Sequence, residues 1–137
     1  MDINLWAVLV SAVASMVIGS IWFGPLFGKK FIHESGLDQM SPADQQAAKK
    51  AMWKSYIIQF IASLVSFYVL ACFINYHFDE VTVGNSILVA LLAWLGFVVP
   101  TKIGDTIWGG KWILFWLVTG SHLITFIAVG AILGAWR

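Results

Sequence analysis

The sequence predicts an all-α integral membrane protein: a four-helix bundle with a cytoplasmic or interfacial amphipathic helix between its first and second spans. Three observations carry that expectation. The 137 residues are 60% hydrophobic and 11% charged, with a mean hydropathy of +0.85, whereas a water-soluble domain carries about 25% charged residues to hydrate its surface. Apolar runs of spanning length, roughly 20 residues for a ~30 Å hydrocarbon layer, recur four times. The third is the aromatic content, 8 Trp and 10 Phe, because an amphipathic ring such as the indole favours the headgroup level.

The chain has the length of one domain. Its net charge of +1 gives no case for nucleic acid as a partner. Cys72 is the sole cysteine, so no intrachain disulfide can form and a cysteine-based zinc site is excluded.

The spans are expected near residues 5–23, 55–76, 86–103 and 112–136, with a cytoplasmic loop at 24–54. Inside hydrocarbon each span must satisfy its own backbone, so helices are required. The first contains "SAVAS" (residues 11–15), which looks like a small-residue cleavage site. However, the apolar run continues to Phe23, and only Asp2 and the amino terminus precede it, with no Lys or Arg. A retained helix is expected rather than a signal peptide. It leaves the membrane through "IWFGPLFGKKF", where Gly24-Pro25 breaks the regular helix and Trp22 sits at the interface. Lys29 and Lys30 then reach anionic headgroups.

Gly36 after "FIHES" is expected to stop a short interfacial helix. Ser41 at an N-cap, Pro42 at the first helical position and Asp44 near the positive helix end predict a new helix from residue 42. It leads into the second span, continuously or through an elbow, and carries Lys49, Lys50, Trp53 and Lys54 as lipid anchors. The third span holds Pro100. If its helix continues past that residue, Lys102 can snorkel to the surface. Trp108 and Trp112 are further anchors, and Asp105 reads as a juxtamembrane charge balancing Lys102 and Lys111.

Seven lysines lie in the first and third connections, against Arg137 alone on the opposite side and an acidic Asp79-Glu80 pair in the second. Lys and Arg near membrane ends stay cytoplasmic, so both termini are expected outside.

Two patterns mark helix faces. Ala7, Ser11, Ser15 and Gly19 recur every four residues along the first span, and Gly130 and Gly134 form a GxxxG in the last. Small residues let helix backbones approach closely in membranes, either within the bundle or between copies. The second pattern is polar. Gln59, Ser63 and Ser66 share a face of the second span, and Thr119, His122 and Thr125 recur every three residues in the fourth. His122 falls near mid-membrane, and Ser15 lies at a similar depth in its own span. An ionisable group there is costly and tends to face the bundle interior or a water-filled path. Three readings of His122 stand open: a hydrogen bond to Ser15, Gln59 or Ser63 that locks packing; a proton path, since an imidazole titrates near about pH 6.5; or ligation of a haem or metal.

No glycine-rich phosphate loop, Ser-His-Asp order or His-Glu metal motif is present, so no catalytic residue, cofactor or metal is expected. The two halves share some punctuation: "WFGP" ends the first span and "WLGFVVP" lies in the third. Convergence of two hairpins would produce the same likeness.

"GSIWFGPLFGKKF" together with "WLGFVVPTKIGDTIWGGKWILFWLVTGSHLITFIAVGAILGAW" resembles the small four-helix prokaryotic membrane family catalogued as domain of unknown function 1761. Trp22, Gly24, Pro25, Phe27, Gly28, Trp94, Gly96, Phe97, Pro100 and Trp136 carry the likeness, while "GDTIWGGKW" departs from the family's usual third loop. The resemblance implies a prokaryotic inner membrane and adds no activity. The functional expectation is a small homo-oligomeric channel or transporter with His122 at mid-membrane. The alternative is a non-catalytic accessory or scaffold protein with a membrane protein partner.

Overall fold

The computed structural model describes residues 3–136, and every regular element among them is helical. Asp2, which enters the signal-peptide argument, and Arg137, which enters the orientation argument, lie outside the described residues. Helix α1 (Leu5–Ile21) begins at Asn4, whose side chain accepts the Trp6 and Ala7 N–H groups at 3.1 and 3.3 Å. It ends in a π turn, Trp22–Leu26. Pro25 has no N–H to give the α ladder. The register widens by one residue, and the Phe27 N–H bonds the Trp22 carbonyl at 2.9 Å. Phe27 then leaves helical geometry, and α2 (Gly28–Ser35) turns away. Gly36, at φ +81°, closes α2 in the left-handed conformation that the glycine signal predicts.

After a single 3₁₀ turn (Leu37–Gln39), α3 (Pro42–His77) runs 36 residues without an elbow. The Ser41 hydroxyl caps it, accepting the Asp44 N–H at 3.2 Å. At ~1.5 Å per residue such a helix is roughly 54 Å long, well beyond a ~30 Å hydrocarbon layer. Its burial changes along that length. Residues 46–59 are exposed all round, and packing begins only with Ser63, Phe67, Leu70, Ala71 and Ile74, which fall on one face.

Helix α4 (Val83–Ala93) is capped by the Thr82 hydroxyl, passes through a second π turn (Trp94–Val98) and continues as α5 (Val99–Gly109). The expected span ended at residue 103, yet the helix runs on to Gly109. Pro100 falls in the first turn after the π segment, where the shifted register absorbs its missing N–H. Lys102 and Asp105 therefore sit on a helix. The connection to α6 (Trp112–Ala135) shrinks to Gly110, at φ +72°, and Lys111.

Four helical stretches are long and apolar enough to cross a membrane: Leu5–Leu26, Pro42–His77, Val83–Gly109 and Trp112–Ala135. Many of their large apolar side chains point outward, Ile58, Val65, Leu92 and Trp116 among them. Helix α6 touches α4, α1 and α5, while α1 also packs on α3. Close approach is most severe between α4 and α6. A Cβ on Gly134 would stand 2.8 Å from the Thr82 carbonyl oxygen and the Val83 Cα, and one on Gly130 would stand 2.9 Å from the Ile87 Cα. Both glycines face α4 within the same chain, which is where dispersion between closely approaching backbones holds membrane helices together. Ala7, Val8 and Ala12 of α1, Ala90 of α4 and Val129 and Leu133 of α6 complete this dry core.

Candidate functional site

The middle of α6 holds three of the six buried polar side chains among the described residues, Thr119, Ser121 and Thr125. Two indoles hold it. Trp22, from the π turn ending α1, donates its Nε1–H to the Leu117 carbonyl at 2.9 Å. Trp94, from the π turn ending α4, donates to the Thr119 carbonyl at 3.0 Å. Carbonyls two residues apart point to nearly opposite sides of an α-helix, about 200° around its axis. The indoles thus grip one turn of α6 from two directions. Gly120 makes room for the first: a Cβ there would stand 3.2 Å from Trp22 Cζ2.

Within and just beyond that turn stand Thr119, Ser121, His122 and Thr125. Thr119, Ser121 and Thr125 are buried, and the Thr119 hydroxyl has no hydrogen-bond partner among the described residues. The Ser11 and Ser86 hydroxyls are in the same condition. His122 is half-buried and likewise makes no hydrogen bond among the described residues. The groups considered as its partners are engaged elsewhere. Ser15 donates to the Ala12 carbonyl at 2.7 Å, and Gln59 donates to the Ser63 hydroxyl at 3.4 Å within α3. Gln59 and Ser66 are exposed, so of that expected face only Ser63 turns into the packing. No cluster of three His, Cys, Asp or Glu side chains suited to a metal occurs among the described residues.

The other singled-out residues are scattered. Ala7 and Ser11 are fully buried, Ser15 is half-buried, and Gly19 faces open space. Lys29 and Lys30 lie exposed on α2. Lys49, Lys50, Trp53 and Lys54 lie exposed on the bare stretch of α3, with Lys54 Nζ 5.6 Å from the Trp53 ring centre. Trp108 is 91% exposed and Trp112 is exposed beside it. Trp22, read from the sequence as a lipid anchor, has its indole on α6. Sequence reasoning noted Trp94 only among the residues that carry the family likeness and missed Gly120. The repeated Trp-x-Gly ahead of each proline was the available signal for the paired grip.

Four helices long and apolar enough to cross a membrane point to a helical membrane protein. The family described as Protein of unknown function (DUF1761) matches residues 6–134, nearly the whole chain. The chain belongs to that family. No curated protein and no solved structure matches it.

Proposed function

We propose that the chain forms a four-helix bundle that assembles as a homo-oligomeric channel or transporter, with His122 on a polar path between copies. One observation carries this reading: a half-buried imidazole in the middle of α6 that finds no hydrogen-bond partner among the described residues. An unsatisfied polar group in hydrocarbon costs several kcal/mol, on the order of 2–7. A second copy, or water held between copies, removes that cost. In this arrangement the α2 and loop lysines face the cytoplasm of a prokaryotic inner membrane, α2 lies on the membrane surface as the amphipathic element, and both termini are outside.

The test is flux in sealed proteoliposomes across a pH step. His122→Phe is expected to lower flux at least about tenfold while the helical circular dichroism is retained, and native mass spectrometry is expected to show a defined homo-oligomer. Unchanged flux removes His122 from the path.

A second reading, a non-catalytic accessory or scaffold protein, draws on the bare stretch of α3. Residues 46–59 form roughly 20 Å of helix that is exposed all round. A single copy purified with a stoichiometric foreign subunit would favour this reading over transport.

A further inference from the structure

We infer that the cleft between α5 and the start of α6 is a binding site for one anionic glycerophospholipid of the phosphatidylglycerol type. The cleft has a volume of ≈ 210 Å³, and its polar rim is made by Lys102, Asp105, Thr106 and Lys111. Its wall is apolar, formed by Leu114, Phe115 and Val118. A phosphate on the rim with acyl chains along the wall matches that division.

The charges are free to act on a ligand. Neither lysine forms an ion pair with Asp105 among the described residues, so the carboxylate does not neutralise them as the sequence suggests. The Thr106 hydroxyl is already spent, donating to the Lys102 carbonyl at 2.7 Å. Two ammonium groups against one carboxylate leave a surplus of one positive charge, which a headgroup with a single net negative charge balances. A zwitterionic headgroup leaves it unbalanced. The level is also right: the cleft lies where α5 ends and α6 begins, flanked by exposed Trp108 and Trp112, and exposed indoles favour the headgroup region. Basic pockets between membrane helices bind acidic headgroups in this way.

The cleft also has a direction. Leu114, Val118 and His122 are spaced by four, which puts them along one line of α6. A lipid seated on Lys102 and Lys111 would therefore lay its chains toward the candidate site. The lipid inference does not depend on the transport reading, because binding is measured without flux.

The experiment is native mass spectrometry of the full chain released from mixed bilayers of phosphatidylglycerol, phosphatidylethanolamine and phosphatidylcholine. The wild type is expected to retain one phosphatidylglycerol in at least about tenfold preference to phosphatidylcholine. Lys102→Gln and Lys111→Gln should each lower that preference about fivefold, in line with the attraction of one cation near an acidic surface. Asp105→Asn, an exposed and conservative change, should raise it, and this variant keeps the test decisive if a lysine variant fails to fold. Equal retention of the three lipids would mean that the cleft holds acyl chains only and would overturn the inference. So would an Asp105→Asn variant with unaltered preference, or displacement of the lipid by free glycerol phosphate.

Discussion

The two Trp-x-Gly corners use the same opening to different ends. In each, a span enters a π turn at a tryptophan, and the indole reaches α6. At the first corner Pro25 lies inside the π turn, the chain breaks at Phe27, and α2 turns away. At the second, Pro100 lies just beyond the π turn, and the helix continues to Gly109. The contrast shows that proline does not by itself decide whether a membrane helix stops. Its position relative to a π register does, because that register sets which carbonyl lacks its donor. The corners also differ in room. Gly28 packs on the first so closely that a Cβ would stand 2.7 Å from the Phe23 carbonyl oxygen, whereas Gly96 in the second has open space.

The largest expected effect separates the corners on that difference. Gly28→Ala forces a backbone carbonyl to move and should destabilise the protein by about 1–3 kcal/mol. Gly96→Ala meets nothing and gains helix propensity, so it should be neutral or stabilising by up to about 1 kcal/mol. Unfolding midpoints in increasing sodium dodecyl sulfate fraction compare them directly. Equal losses at both positions would make the first corner no tighter than the second.

The sequence carried the corners only in part, for a physical reason. Signals that act within a turn, such as Ser41-Pro42 and Gly36, translate into local geometry almost without context, and the helix start and stop follow them. Pro100 is different. Its local chemistry suits either the end of a helix or a π-adjusted continuation, and the choice rests on what α6 offers the preceding tryptophan. The site has the same limit. Spacing of three and four marks Thr119, His122 and Thr125 as neighbours along one helix, but it does not state which other helix faces them. That is why Ser15 and Gln59, plausible partners by depth, turn out to bond within their own helices.

A smaller effect tests whether the two indoles do equal work. Trp22→Phe and Trp94→Phe each remove one N–H donor. Each leaves the α6 carbonyl with its own helical bond, so the loss should be about 1 kcal/mol apiece. Trp22 also packs on Gly120, and its replacement should cost slightly more. Because Leu117 and Thr119 share one turn, the double variant should depart from the sum of the singles. A double-mutant cycle in the same detergent titration checks this, and strict additivity would mean that the indoles grip α6 independently.

The smallest effect concerns the proline that does not stop its helix. In a regular α ladder, an interior proline costs about 3 kcal/mol against alanine, from a lost bond and a ring clash. At Pro100 the π turn has already moved the register, so little of that cost remains to be recovered. Pro100→Ala should therefore change stability by less than about 1 kcal/mol, and Trp94 should keep its bond to the Thr119 carbonyl. Intrinsic tryptophan emission would hold its wavelength if it does. A gain near 3 kcal/mol would mean that Pro100 strains the helix it sits in, and the π turn would then be a consequence of the proline alone. The expected near-silence instead makes the π turn a joint product of Pro100 behind it and the α6 carbonyl that holds Trp94 in front.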